Sequence, residues 1–223
     1  MTEDETARSG DEDHEDDDMR EFRHRHAERR FFTDSLNNDV ARAEELYAQT
    51  RDNGFVRRTL VRTIFAQIEG LCAEVIDWAR YYGADDSAHR ENYSVAEREV
   101  LRGVVALLNE KGEAQIEDAR YPSTKANVRF ALSLVGRGGE DVPVINYGDG
   151  GWEALRVGFA VRDRLMHPKH PEDVNVSDDD LARVRRGREW FADVLKARNA
   201  ALQRTRAAQF AKTFSEWTEE QRS

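Results

Sequence analysis

Apolar residues recur at three- and four-residue spacing along most of the chain, which is the period of a helix that buries one face. The stripe is clearest from about Phe55 to Tyr82, where it runs through Leu60, Ile64, Ile68, Leu71, Val75 and Ala79. A second stripe predicts a preceding helix from about Arg20 to Arg51, which the turn residues Asp52-Asn53-Gly54 end. The pattern therefore predicts an all-α fold, a helical bundle with an additional N-terminal helix.

Capping signals divide the rest of the chain into further helices. Ser94-Val95-Ala96-Glu97 has the spacing of a capping box and predicts a third helix that ends near Gly112. Ser123, after Tyr121-Pro122, can cap a fourth helix. The glycine-rich stretch 136–151 lacks the ending of a phosphate-binding P-loop and predicts a connecting loop.

The last third of the chain predicts two more helices. A fifth helix is expected from about Trp152 to Leu165. After a short loop, the acidic cap 177–180 begins a long last helix through Phe191 and Leu202, and on towards Phe214. No internal repeat is visible.

Charge is concentrated at the N-terminus. The formal net charge is −10, and residues 1–18 contain ten acidic residues and one arginine, which leaves −1 for the rest. Such a block predicts a disordered tail over 1–18, followed by the N-terminal helix over 19–52, a helical domain over 53–215 and a C-terminal tail over 216–223. The acidic tail is interpreted as a solvated end; the alternative is a polyanion mimic that shields the basic residues that follow it.

Cysteine and histidine usage argues against metal or cofactor chemistry. Cys72 is the single cysteine, so it can form no intramolecular disulfide, and its apolar surroundings predict a buried, unreactive thiol. The histidines outside the fifth helix region lack zinc-ligand spacing, so neither a metal nor a cofactor is expected. No basic, apolar leader follows Met1 and no apolar run approaches about 18 residues, which predicts a cytoplasmic protein without a membrane segment.

The segment with the strongest chemical signal is the end of the fifth helix. Trp152, Leu155, Phe159, Arg162 and Met166 share one helix face. Arg162 on this stripe requires a carboxylate, a carbonyl or a phosphate as partner, since guanidinium keeps its charge. Pro168 is expected to release His167 from the helix. An imidazole that titrates near neutral pH beside a phosphate-binding guanidinium suits phosphodiester chemistry without a metal.

The run Arg162-Asp163-Arg164-Leu165-Met166-His167 resembles the arginine, polar residue, spacer, histidine motif of the HEPN superfamily, as found in bacterial defence and toxin systems. Weaker likeness extends to Phe65-Ala66-Gln67-Ile68-Glu69-Gly70, and the resemblance covers roughly residues 55–200. It implies a HEPN-like bundle that acts as a homodimeric, metal-independent endoribonuclease on RNA, with an antitoxin or regulatory protein as a further partner.

The resemblance also assigns roles to residues. His167 would deprotonate the ribose 2′-hydroxyl, Arg162 would stabilise charge on the phosphate, and Asp163 would orient either group. Three further basic residues would contribute substrate contacts: Arg164, Lys169 and His170. For Lys169 and His170, which lie in a loop, the alternative is that they are merely solvated. The product would be a 2′,3′-cyclic phosphate.

A non-catalytic interpretation is also open, because HEPN domains include inactive binding modules. In that case Arg162 would pair with a core carboxylate such as Glu69, and His167 would cap the final carbonyls of its helix. The chain would then be a helical interaction or regulatory protein.

Overall fold

The computed structural model of the chain describes residues 4–82, 90–108, 114–118, 124–137 and 139–220. Within these ranges it contains six α-helices, one antiparallel pair of strands and two short 3-10 turns. The helices are α1 (Asp4–Gln49), α2 (Gly54–Tyr82), α3 (Val95–Arg102), α4 (Thr124–Leu134), α5 (Gly150–Met166) and α6 (Asp178–Glu220), and the strands are β1 (Val104–Leu108) and β2 (Ala114–Asp118). The hydrophobic core is made by helices, so the predicted all-α class is confirmed.

Helix α2 lies at the centre of the bundle and contacts α1, α3, α4, α5 and α6. Its stripe is wide because it is covered on several sides: Leu60, Val61, Ile64, Phe65 and Ile68 are each no more than 1% exposed. Helices α1 and α2 run antiparallel, as do α5 and α6. The side chain of Gln67 crosses between three of these helices, since it donates to Asn37 of α1 at 2.6 Å and accepts from Arg188 of α6 at 2.7 Å.

Helices α1 and α6 are longer than the sequence pattern predicts. Helix α1 begins at Asp4, so residues 4–18, for which we expected a disordered tail, continue the helix. Helix α6 ends at Glu220 and includes the start of the expected C-terminal tail over 216–223. Once a helix is nucleated, each added residue gains one hydrogen bond, so a polar flank can continue a helix whose packed part is already formed.

The third helix is shorter than expected. It has the predicted capping box at Ser94 and Glu97, but it ends at Arg102 instead of near Gly112. Gly103 adopts a left-handed conformation with φ 72°, and the chain then enters β1, whose Val104 pairs with Asp118 and whose Leu108 pairs with Ala114. Short apolar runs such as 104–108 fit a strand as well as a helix, and the prediction made the wrong choice.

The other predicted elements are confirmed. Helices α2 and α5 begin and end within two residues of their predicted limits, and residues 139–149 form a loop without helix or strand. The expected cap of α6 is present, because the Asp180 carboxylate accepts from the Ser177 amide at 2.9 Å. Ser123, the predicted cap of α4, lies outside the described residues. Among the residues that are described, no helix combines the length and apolarity that crossing a membrane requires.

Candidate functional site

Helix α5 carries the motif and is fixed at its N-terminus by Asp149. The Asp149 carboxylate accepts from the amides of Gly151 at 2.8 Å and Trp152 at 3.0 Å, and from the Trp190 indole at 2.9 Å. These bonds satisfy free donors of the first turn and hold α5 against α6. They also lower the pKa of Asp149, chiefly through the Trp152 amide, so the cap stays charged.

The helix ends at Met166, and His167 leaves it as predicted. His167 has φ −132° and ψ 60°, outside the helical region, because the following proline excludes that conformation. Its main-chain amide donates to the Asp163 carbonyl at 3.0 Å, and the residue is exposed. The imidazole therefore lies on the surface at the rim of α5, where it can exchange a proton with a bound molecule.

Arg162 lies between two carboxylates. Its Nη2 is 2.7 Å from Glu69 Oε1 of α2, and its Nη1 donates to Asp163 Oδ1 at 3.1 Å. The guanidinium is partly buried, with 20% of the side chain exposed. A partner for Arg162 was required by the sequence, and the partner that we named for the non-catalytic interpretation, Glu69, is present. The same contact fixes the position of the guanidinium for any further ligand.

The surroundings of Glu69 disfavour its charged form. Burial raises its pKa, and the charge of Asp163 adds to this, whereas Arg162 lowers the pKa only in part. Nearby Cys72 is 3% exposed, and burial, helped by Glu69, raises the pKa of its thiol to about 12. The thiol is thus unreactive, as expected from its apolar surroundings.

Arg62 of α2 is a basic residue at this site that the sequence analysis missed. Its Nη2 donates to the Leu165 carbonyl at 2.8 Å and so caps the last turn of α5. Arg62 and Glu69 are seven residues apart, which places both on the same side of α2. The sequence shows this spacing, but it does not show which face of α2 meets the end of α5.

Arg164 is directed elsewhere. It is two positions from Arg162, so it points to nearly the opposite side of α5. Its Nη2 is 2.7 Å from Asp180 Oδ2 and donates to the Asn175 carbonyl at 2.9 Å. The contact ties α5 to the cap of α6 and gives Arg164 a structural partner within the chain, and its contact with a substrate stays a prediction.

Lys169 and His170 lie in the loop between α5 and α6. Their main-chain amides donate to Asp173 Oδ2 at 2.8 Å and 2.9 Å, and these bonds lower the pKa of Asp173. Both residues are exposed, and the loop that carries them begins directly at His167. They remain available for a substrate, but the fold itself assigns them no ligand.

Three residues of the motif, Asp163, Met166 and His167, are exposed to solvent in this single chain. A cavity of about 660 Å³ lies between α1 and α2, next to Glu28 and Glu74, and another of about 280 Å³ lies beside Trp190. Neither is lined by a motif residue. The residues that the structure describes also hold no group of three or more potential metal ligands.

No family model matches the chain, and no curated protein or solved structure matches it either. Fold and site together define an all-α helical bundle in which an arginine, fixed by two carboxylates, precedes an exposed histidine at a helix end.

Proposed function

We propose that the chain is a metal-independent, HEPN-type endoribonuclease that acts as a homodimer, with Arg162, Asp163 and His167 of both copies in one composite site. The observation that carries the proposal is an exposed imidazole directly after a helix whose last turns hold a fixed guanidinium. The class of reaction follows from these two groups, because RNA supplies its own nucleophile in the 2′-hydroxyl.

The reaction needs one base and one acid. His167 of one copy would take the proton of the 2′-hydroxyl, whose oxygen then bonds to phosphorus. The bond from phosphorus to the 5′-oxygen breaks, and His167 of the other copy would protonate that oxygen. The products are a 2′,3′-cyclic phosphate and a 5′-hydroxyl end, and no electrons are exchanged with a cofactor.

Arg162 can donate hydrogen bonds to a phosphate while it keeps its contacts with Glu69 and Asp163. A guanidinium has five N–H donors, and contacts with two carboxylate oxygens leave donors free. A donor held in place before the reaction stabilises developing charge better than one that must reorganise. Asp163 would act as a positioning residue, since it touches the guanidinium.

A second copy is part of the proposal for two reasons. Each motif contains one histidine, whereas the acid and base roles need two. The motif of a single chain is also open to water, and a cleft formed by two copies would supply the walls that a phosphodiester needs. An antitoxin or regulatory protein is a further proposed partner, since the motif resembles that of HEPN proteins from bacterial toxin systems.

The experiment is RNA cleavage by purified protein in the presence of a metal chelator, with detection of cyclic phosphate ends. Arg162→Ala and His167→Ala should each reduce the cleavage rate by about 100-fold or more, the scale of a lost acid-base group or charge stabiliser. Matched controls are Arg156→Ala, an exposed arginine of the same helix, and His24→Ala, an exposed histidine of α1. Equal cleavage by motif and control variants would remove the proposal.

The second candidate is a non-catalytic, HEPN-like interaction or regulatory protein. The observation that favours it is the ion pair of Arg162 with Glu69, which gives the guanidinium charge a partner within the chain. For such a protein, His167→Ala would leave every measured activity unchanged, and Arg162→Ala would lower thermal stability alone. The cleavage assay and a melting curve on the same variants separate the two candidates.

A further inference from the structure

Helix α6 extends well beyond the bundle that it helps to form. Thr205 is its last buried residue among those described, held by a 2.7 Å bond from the Glu140 amide to the Thr205 hydroxyl. Residues 206–217 are all exposed, although the helix continues to Glu220. A protruding single helix of this length is marginally stable in water unless something packs against it.

One side of this segment is aromatic. Phe210, Phe214 and Trp217 are 74%, 56% and 56% exposed, and their spacing of four and three residues places them on one face. The ring centroids of Phe210 and Phe214 are 6.4 Å apart, and those of Phe214 and Trp217 are 6.1 Å apart. A contiguous exposed apolar surface of this kind marks an interaction site.

We propose that residues 204–220 of α6 pair with the same segment of a second copy of the chain, as an antiparallel two-helix coiled coil. In heptad terms Ala207 and Phe214 occupy a positions, and Phe210 and Trp217 occupy d positions. The partner is a second copy because the segment is complementary to itself in size and in charge when it is reversed.

Side-chain volume favours the antiparallel direction. In an antiparallel pair an a residue faces a d residue, so Phe210 lies against Phe214 of the partner subunit and Trp217 lies against Ala207 of the partner subunit. Each layer then combines two rings, or the largest side chain with a small one. A parallel pair would place Trp217 against Trp217 and Ala207 against Ala207, which crowds one layer and leaves a void in another.

Charge favours the same direction. The segment begins with Arg204 and Arg206, and the sequence ends it with glutamates at positions 216, 219 and 220. In the antiparallel register Arg206 and position 220 of the partner subunit flank the seam at facing g positions. A parallel pair would bring the basic ends together and the acidic ends together, which is unfavourable.

This contact is separate from the proposed nuclease site and does not rest on it. Arg164 meets Asp180 at the start of α6, and Phe210 follows thirty residues later, about 45 Å along the helix axis. Pairing through the α6 segment therefore leaves the motif free. A chain that used both two-fold contacts would form a tetramer or a larger assembly instead of a dimer.

The first test is sedimentation equilibrium of the full chain over a range of concentrations. Phe214→Glu should weaken self-association through this segment by at least about tenfold, because it places a charge where the proposed pair would bury a ring. Lys212→Glu is the matched control, since Lys212 is exposed on the outer side of the same helix. A chain that is monomeric at every concentration, or a mass that Phe214→Glu leaves unchanged, overturns the proposal.

The second test reverses the charges that flank the seam. Arg206→Glu should weaken association, and combining it with Glu220→Arg should restore it. Lys212→Glu introduces the same change of charge away from the seam and should have little effect. Failure of the double variant to recover shows that the two positions do not face each other.

The third test determines direction by disulfide formation under mild oxidation. Thr213 faces its own counterpart across the two-fold axis of the antiparallel pair, so Thr213→Cys should form a disulfide-linked dimer. Ala207→Cys should not, because it faces Trp217. A disulfide-linked dimer of Ala207→Cys, with none of Thr213→Cys, would demonstrate a parallel pair and contradict the proposal. Native Cys72 is buried and does not interfere.

Discussion

At the end of α5 the guanidinium of Arg162 contacts one carboxylate from another helix and one from its own. Arg162 only partly offsets the cost of burying the Glu69 carboxylate, because burial raises the pKa of Glu69 more than Arg162 lowers it. Such an ion pair contributes little to the free energy of unfolding, but it holds the Arg162 side chain in one position. Sequence reasoning supplied the need for a partner and named both carboxylates, Glu69 for the non-catalytic interpretation and Asp163 as a residue that would orient Arg162 or His167.

A double-mutant cycle measures this pair. Glu69→Ala, Arg162→Ala and the double variant should give a coupling energy of about 0.5–1 kcal/mol in urea unfolding at neutral pH. Because the pKa of Glu69 is raised in the folded state, its carboxylate gains a proton at a higher pH than a free glutamate does. The coupling should therefore be lost, as pH falls, before the usual range for glutamate is reached.

The matched control is the pair of Glu153 and Arg156, which lies on the exposed side of the same helix with an Nη2 to Oε1 distance of 2.6 Å. Solvent screens that pair, so its coupling should be smaller. Equal coupling for the two pairs would contradict the partly buried geometry described for Arg162.

Between elements, the close approach of α5 and α6 depends on a glycine that no pattern identified. An added Cβ at Gly187 would lie 2.6 Å from the Leu155 main-chain Cα and 2.7 Å from its amide nitrogen. Backbone cannot give way as a flexible side chain can, so the two helices would have to separate. The positions of His167 and Arg164 relative to α6 follow from this crossing.

Gly187→Ala should therefore destabilise the protein by about 1–3 kcal/mol, although alanine is the better helix former. The expected measurement is a lower midpoint of urea unfolding. Gly54→Ala is the control, because its added Cβ would meet only the end of the Arg58 side chain at 3.3 Å. A stabilised Gly187→Ala variant would show that the helices do not approach this closely.

For the whole molecule, the bundle and the protruding segment of α6 make separate contributions. Buried residues of α6 occur up to Thr205, whereas residues 206–217 contribute exposed surface only. The bundle should therefore fold without the segment, and the segment should matter for assembly alone.

A chain that ends after Thr205 tests this division. Its free energy of unfolding, measured at a concentration where the full chain is monomeric, should stay within about 0.5 kcal/mol of the full-length value. Its sedimentation should show no association through α6. A large loss of stability would mean that the segment folds back on the bundle in solution.

The sequence by itself determined the helical class, the limits of α2 and α5, the cap of α6 and the departure of His167 from its helix. Each of these depends on a local rule: a period of 3.6 residues, a capping side chain or the geometry before a proline. Local rules also led to the wrong end for α3, because a short apolar run such as 104–108 satisfies two patterns at once.

Tertiary structure decided which side chains meet. Arg62 reaches the last turn of α5 across more than one hundred residues of chain, and Arg164 turns to Asp180 although it lies within the motif. How far α6 continues beyond Thr205, its last buried residue among those described, was also visible only in the tertiary structure. Packing joins helix surfaces that are distant in sequence, so these contacts are decided only when the helices come together.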